Sequence, residues 1–433
     1  MGSYEHAVEY LLDIPKFTKH KDNNNLRRIL DKLGAPDRSF KVIHVAGTNG
    51  KGSVCAFMNS ILCRAGYRVG LFTSPHLVKI NERIRINGLN ISDEDFLCAY
   101  NTVRNVVDQV INEGGEHPSF FEYILLVALV AFYEANMEYV ILEVGLGGRL
   151  DATNIIERPL VSIITSVSKD HMEILGNDVA TIAREKAGII KPQTPIVYWG
   201  EDEDVAAVVE EVARKCGSQS ICVKKECINV ESKTNKSIDF SLCNSYDRYG
   251  CLSIPFVMEY QTWNASLVLK ALEIFEPNMN IDILKDGLLN TTWPGRMELI
   301  SPRVYLDGAH NYDGILQFKE YVCELVAREQ VGVYILFSVV KEKEYHQMMD
   351  VIEQINGVKG FIVAPIMNAR ATAVDELADY LKVSGKPVYT FNNLEDAYKY
   401  GLDVIKDSDY LFCVGSLYMV GEIKQLSKTE VQL

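Results

Sequence analysis

Paired cysteines are missing from this chain: its 10 cysteines are scattered from Cys55 to Cys413, and no two of them form a C-x-x-C pair. That spacing argues against a disulfide scaffold and leaves reduced thiols in a cytosolic core as the expectation. A soft-metal alternative at Cys216, Cys222 and Cys227 lacks the histidine or the paired spacing that would complete four ligands. Long apolar runs are absent too. The longest, from Tyr123 to Tyr133, falls short of the roughly 18–20 residues that cross a bilayer and reads as a buried helix. Met1 to Lys21 carries no basic-then-apolar leader pattern, so the expected location is cytoplasmic. Basic residues are in deficit, 44 Lys and Arg against 58 Asp and Glu, for a formal net charge of −14. Nucleic acid and anionic membrane are therefore poor partners, and any polyanion that binds needs a local cradle.

The remaining composition, 48% hydrophobic and 24% charged, is that of a globular protein that folds along most of its length. At roughly 100–200 residues per domain, two large domains are the expectation. Lys41-Val-Ile-His-Val-Ala46 is a short strand pattern that runs into Gly47-Thr-Asn-Gly-Lys-Gly-Ser53 and then a helical stretch over 54–65. This is the order strand, phosphate loop, helix. Strands expected at 67–73, 139–144, 160–166 and 195–199 alternate with helices at 93–112 and 121–136. Continuous apolar strands between helices predict a mostly parallel sheet covered on both faces. A polar stretch over 222–255 predicts a small antiparallel or irregular insertion. Trp293-Pro-Gly-Arg296 interrupts the pattern. The expected division is therefore 1–294, a large P-loop domain, and 295–433, a smaller Rossmann-like α/β domain with strands at 303–306, 333–338, 360–364, 388–391 and 411–414.

In the loop, backbone N–H groups of Thr48, Asn49, Gly50, Gly52 and Ser53 would face phosphate, with Lys51 as a point charge for the β- and γ-phosphates. The strict pattern has Ser or Thr directly after the Lys; here Gly52 intervenes before Ser53. Ligands of parallel sheets bind beyond the carboxyl ends of strands, where Ser74, Glu143 and the Asp170-His171 pair all fall. Their hydroxyl, carboxylate and imidazole suit a divalent cation beside a triphosphate, Mg²⁺ above all. Each also has a structural alternative: a turn at Ser74 before Pro75, a buried ion pair at Glu143, a capping histidine at His171. Lys186 reads from composition as a solvated helix lysine, although a lysine near metals and phosphates can have a lowered pKa. Asp307-Gly-Ala-His310-Asn311 again follows a strand and precedes a helix, where Asp307 and His310 could face a cleft shared with the first domain or simply cap the helix.

In sequence order these segments resemble one family, the folylpolyglutamate synthases and bifunctional dihydrofolate synthases of the Mur ligase superfamily. The resemblance is carried by His44-Val-Ala-Gly-Thr-Asn-Gly-Lys-Gly-Ser53, Thr73-Ser-Pro-His-Leu77, Asn81-Glu-Arg-Ile84 and Glu143-Val-Gly-Leu-Gly-Gly-Arg-Leu-Asp-Ala-Thr-Asn154. It continues through Asp170-His171, Glu185-Lys-Ala-Gly-Ile189, Pro294-Gly-Arg296, Asp307-Gly-Ala-His-Asn311 and Gly415-Ser416. Gly52 after the lysine is then a family trait, since peptidoglycan Mur ligases place Thr there. The resemblance implies Mg²⁺, in two sites, with Ser74, Glu143 and His171 as ligands, and a CO₂-derived carbamate on Lys186 (N6-carboxylysine). It implies ATP contacts from Asn264, Arg296 and Asp307, a glutamate side at His310 and Ser416, and pterin-substrate positions at Phe121, Glu122 and Asp151. Two segments depart from the family pattern, His20-Lys-Asp-Asn-Asn-Asn25 and Lys341-Glu-Lys-Glu344.

The implied activity is ATP-dependent attachment of L-glutamate to the carboxylate of a reduced folate through an acyl phosphate. Dihydropteroate is a second candidate acceptor, which Asp151 permits. A monomer is expected. The rivals are a related ligase with another carboxylate acceptor, and a P-loop protein that uses nucleotide as a conformational switch.

Overall fold

The computed structural model describes residues 3–15, 23–243, 246–341, 344–405 and 408–430. The chain divides into two units, Met1–Pro255 with Gln261–Thr292, and Phe256–Tyr260 with Trp293–Leu433.

Among the described residues the first unit contains eleven strands: β1 (Lys41–Ala46), β2 (Val69–Phe72), β3 (Ile84–Ile86), β4 (Leu89–Asn90), β5 (Tyr139–Glu143), β6 (Val161–Ile164), β7 (Ile196–Trp199), β8 (Ser220–Val223), β9 (Ile228–Lys233), β10 (Ile238–Leu242) and β11 (Leu252–Ile254). Eight of them form one sheet in the order β4-β3-β2-β5-β1-β6-β7-β8. From β2 to β8 every pairing is parallel. Only the two pairings of β3 near the edge, with β2 and with β4, are antiparallel. β1 and β5 are buried along nearly their whole length, which is why they read as continuous apolar runs. The helix Phe120–Glu134 is buried from Tyr123 to Phe132. It packs so closely on β2 that a Cβ at Gly70 would lie 2.6 Å from the Phe132 ring. The polar stretch is a three-stranded antiparallel sheet, β11-β10-β9.

The second unit contains β12 (Glu298–Ser301), β13 (Val304–Leu306), β14 (Val333–Phe337), β15 (Val358–Val363), β16 (Val388–Thr390) and β17 (Tyr410–Val414), in the order β12-β13-β17-β14-β15-β16. All pairings are parallel except β12 with β13.

Three expectations need correction. The division falls at Thr292/Trp293 rather than after 294, and Phe256–Tyr260 goes with the second unit. Val257 and Met258 explain this, because they lie in one core cluster with Met297, Ile315 and Phe318. The helix after the glycine loop starts at Lys51 rather than 54, since Gly50 is its N-cap and Gly52-Ser53 belong to its first turn. Strands β3, β4, β8 and β12 are short edge or near-edge pieces that the apolar pattern did not signal. Of the two divergent segments, 20–22 and 342–343 lie outside the described residues, and the helix Asn24–Lys32 begins directly after Asn23.

Candidate active site

At the end of β1 the chain enters a turn that a side chain would block. Gly47 has φ +152° and its Cβ would fall 1.7 Å from Thr165 Oγ1; Gly50 has φ +89° and its Cβ would fall 2.4 Å from Asn264 Oδ1. The segment after β6 clamps this turn. Thr48 N donates to Ser166 O at 2.7 Å, and Thr165 Oγ1 donates to Asn49 O at 2.6 Å. Thr48 Oγ1 donates to Ser168 O and accepts from Ser168 N, both at 3.1 Å. No side chain caps the 14-residue helix that follows, so its first-turn N–H groups and the positive end of its dipole are left for an anion. Lys51 folds back over the turn, its Nζ donating to Gly47 O and Thr48 O, both at 3.1 Å. Ser53 is steadied from the helix Tyr260–Phe275: Gln261 Nε2 donates to Ser53 Oγ at 3.2 Å, and Asn264 Nδ2 donates to Gln261 Oε1 at 3.0 Å.

Lys186 is not a solvated helix lysine. It is 3% exposed, in the last turn of the helix Val179–Ala187, and its Nζ donates to the same Gly47 carbonyl at 2.7 Å. Burial, reinforced by the charge of Lys51, lowers its pKa to about 7. Glu143 ends β5 buried, with its Oε2 accepting from Ser74 N at 2.9 Å, so the structure brings these two together. His171 stands three residues beyond Ser168, half-exposed, with left-handed backbone at φ +52° and its N donating to Asp170 Oδ1 at 2.9 Å. Among the described residues no three His, Cys, Asp or Glu side chains are grouped to hold a metal; the set Ser74, Glu143 and His171 contains two of those types.

On the substrate-side positions, Glu122 closes a capping box, its Oε2 accepting from Ser119 N and Ser119 Oγ, both at 2.7 Å. Phe121 is half-buried against Phe72, with ring centroids 5.6 Å apart, and lies over Gly145, where a Cβ would meet the ring at 2.7 Å. Asp151 is buried and organises its own loop. Its Oδ1 accepts from Thr153 N at 2.9 Å and Thr153 Oγ1 at 2.6 Å, and its Oδ2 from Leu146 N at 2.9 Å. Burial pushes its pKa up, against these hydrogen bonds.

In the second unit Asp307 does not cap a helix. Its two carboxylate oxygens accept from Met297 N and Ala309 N, each at 2.8 Å, while Asn311 caps the helix Tyr312–Glu329 through Gly314 N. Burial raises the Asp307 pKa and the nearby Arg296 guanidinium opposes the rise. Arg296 lies against Gly308, where a Cβ would be 2.4 Å from Nη1. His310 Nδ1 bonds Gly308 O at 2.7 Å, and Ser416 Oγ accepts from Tyr418 N at 3.1 Å.

Residues 45–272 match the Mur ligase middle domain, and residues 295–417 match the Mur ligase glutamate ligase domain. A dihydrofolate synthase/folylpolyglutamate synthase of Bacillus subtilis is 33% identical over 98% of this chain and 99% of its own length. The chain belongs to this branch of the Mur ligases. Two solved structures share the ligase fold along their length. Escherichia coli FolC in complex with DHPP and ADP is 28% identical with a TM-score of 0.85, covering 99% of this chain and 98% of that one. Mycobacterium tuberculosis folylpolyglutamate synthase complexed with ADP is 28% identical with a TM-score of 0.86, covering 98% of each.

The chain is thus an ATP-dependent Mur-type ligase, and the glycine loop that follows β1 is its candidate phosphate site. Two parts of that site escaped the sequence reading, the clamp Thr165–Ser168 and the brace Gln261; in the second unit so did Tyr260, whose hydroxyl pKa is raised by burial beside Asp307. Gln261 could have been found, since it stands one turn before Asn264 on a helical pattern. Thr165 and Ser168 carry no local signal.

Proposed function

We propose that this ligase transfers the γ-phosphoryl of ATP to the carboxylate of a reduced folate and then joins the acyl group to the amine of L-glutamate. The carboxylate oxygen takes the phosphoryl group and ADP leaves; the glutamate nitrogen then attacks the acyl carbon and inorganic phosphate leaves. The observation that carries this reading is the Gly47 carbonyl, which holds two lysines, one of them buried, at the mouth of an uncapped helix. Lys51 and the positive end of that helix lie where negative charge shifts onto the phosphates during transfer, and the second lysine is there to be modified. Lys51 serves the β- and γ-phosphates, and Asn264, Arg296 and Asp307 serve the nucleotide. His310 and Ser416 serve glutamate, and Phe121 with its neighbours Glu122 and Asp151 forms the pterin side.

The Ser74 hydroxyl and Glu143 carboxylate are hard donors that suit Mg²⁺, with the borderline imidazole of His171 beside them in the set, and the buried Glu143 carboxylate is costly without a cation or hydrogen bonds. Bound there, Mg²⁺ would neutralise phosphate charge. Lys186 suits carbamylation: an amine with its pKa lowered to about 7 is substantially neutral at physiological pH and can add to CO₂, releasing a proton. The carbamate keeps one N–H for Gly47 O and sets a negative group beside Lys51 in place of a second cation. The same reading has the enzyme act as a monomer in the cytoplasm, on small molecules, with neither membrane nor nucleic acid as partner. Two features support it: the net charge of −14, and the finding that no helix among the described residues is long and apolar enough to cross a membrane.

The deciding experiment measures ADP release with tetrahydrofolate and with dihydropteroate, each with and without L-glutamate. Turnover with tetrahydrofolate that requires glutamate is the expected result, and the dihydropteroate arm reports the second activity. Nucleotide binding without glutamate-dependent turnover on either acceptor would overturn the reading in favour of a switch or a different acceptor.

A further inference from the structure

We propose that Gln261 is a positioning residue for the nucleotide: its amide holds the Ser53 hydroxyl so that it donates to phosphate rather than binding metal. This rests on the nucleotide reading of the glycine loop above and goes beyond it, because it gives the off-pattern serine of that loop a role and names the residue that sets it.

Gln261 is fully buried in the first turn of the helix Tyr260–Phe275, and Ser53 and Asn264 are buried with it. The two ends of its amide have different partners. Asn264 Nδ2 donates to Gln261 Oε1 at 3.0 Å, so the oxygen end is committed to Asn264. The nitrogen end is thereby turned to the glycine loop, and Nε2 donates to Ser53 Oγ at 3.2 Å. Asn264 is keyed to the same loop. A Cβ at Gly50 would lie 2.4 Å from Asn264 Oδ1 and 3.3 Å from Nδ2, so its oxygen end faces Gly50. Gln261 and Asn264 stand three residues apart, about one helical turn, and both amides meet the loop from one face of the helix.

A hydroxyl has one hydrogen and two lone pairs. With Gln261 Nε2 on one lone pair, the Ser53 hydrogen is turned away from the amide and remains to be donated. Ser53 stands in the first turn of the helix Lys51–Arg64, whose N-terminal end has no side-chain cap, and an acceptor that suits this place is an oxygen of an anion at that end. In the strict phosphate-loop pattern the Ser or Thr directly after the lysine puts its hydroxyl on Mg²⁺. Here Gly52 takes that position and the serine follows, about 100° further round the helix. Its displaced position and its bonded oxygen both favour donation over metal ligation, which leaves the cation to Ser74 and Glu143. Only an amide serves at 261. A carboxylate has no N–H to give Ser53, and an apolar side chain strands Ser53 Oγ and Asn264 Nδ2 in a buried place.

The test is calorimetric titration of the full chain with ADP, in excess Mg²⁺ and in EDTA, for wild type, Q261M, S53A and the double variant, beside thermal melts. Q261M and S53A should each raise the ADP Kd roughly 10-fold, as expected for loss of a hydrogen bond to a charged group. The double variant should stay within about 3-fold of S53A, because the amide acts through that hydroxyl. The losses should be as large in EDTA as in Mg²⁺, since a donor to phosphate needs no cation. In steady state the KM for ATP should rise in step, while KM values for tetrahydrofolate and L-glutamate stay within about 2-fold of wild type. If Q261M does not fold, Q261E keeps the shape of the side chain without its N–H and should weaken ADP at least as much. Losses that multiply in the double variant, losses that vanish in EDTA, or an unchanged Kd in a Q261M or Q261E that melts like wild type would sink the inference while leaving the loop as the phosphate site. Wild type that binds no ADP in Mg²⁺ would instead remove the nucleotide reading of the loop, and this inference with it.

Discussion

Each unit contains a strand that runs through a short loop into a helix, and the two versions are opposite in electrostatics. After β1 the loop 47–50 is built on glycines, the next helix has no side-chain cap, and Lys51 and Lys186 converge on one carbonyl. After β13 the loop 307–311 is organised by a carboxylate. Asp307 takes up the N–H groups of Met297 and Ala309, and Asn311 takes up that of Gly314. The first arrangement leaves its helix end without a side-chain cap, whereas in the second Asn311 takes one first-turn N–H and a carboxylate sits just ahead of the helix. A strand-loop-helix unit is therefore no guide to phosphate binding until its first-turn N–H groups are accounted for.

The largest break in this contrast is expected at Lys51. K51A should lower kcat/KM for glutamate ligation by roughly 10³-fold with a much smaller effect on melting temperature, because the turn loses the two bonds from Lys51 Nζ but keeps those from Thr48 N, Thr165 Oγ1 and Ser168 N, and Lys186 still donates to Gly47 O. ADP-release kinetics beside a thermal melt check both halves. Near-normal turnover would mean that the loop after β1 is not the phosphate site.

Lys186 sharpens the contrast in two directions. In CO₂-free buffer K186M should melt higher than wild type while ligation falls by about 10²-fold or more. The sign follows from linkage. With its folded pKa lowered to about 7 from 10.5, the amine is charged in both states below pH 7, so folding bears the full cost of burying the charge. As pH rises from 7 towards 10 the folded amine is neutral while the unfolded one still binds its proton, and wild type gains stability. The melting difference should therefore be widest below pH 7 and narrow above it. A difference independent of pH would show that the buried amine carries no charge to lose. Removing Nζ leaves Gly47 O with Lys51 as donor, so no buried acceptor is orphaned.

The smallest effect belongs to the second loop. N311A should cost about 1 kcal/mol of stability through loss of the cap, with ADP affinity unchanged. Denaturant melts and calorimetric titration with ADP separate the two quantities. A loss of ADP affinity of the same size would make the second helix an anion site too, and the contrast would fail.

Sequence alone determined the features that arise within a few residues of one another. The glycine turn after β1 could be read because glycines at φ +152° and +89° leave a mark that no other residue type supplies. The buried helix over Phe120–Glu134 could be read because its apolar run is too long for a strand and too short for a membrane. Alternation of apolar strands with helices was enough for a mostly parallel α/β architecture in both units. Tertiary structure decided the rest, wherever the partner of a group lies far along the chain. Lys186 is 139 residues from Gly47, and without that neighbour its composition reads as a solvated surface. Thr165 clamps a turn 116 residues away at Asn49, and Val257 and Met258 leave the run of the first unit to fill the core of the second. Burial and proximity change the chemistry of a side chain without altering its identity. A local pattern can therefore locate the glycine turn, but only the folded chain reveals that a lysine beside it has a pKa lowered to about 7.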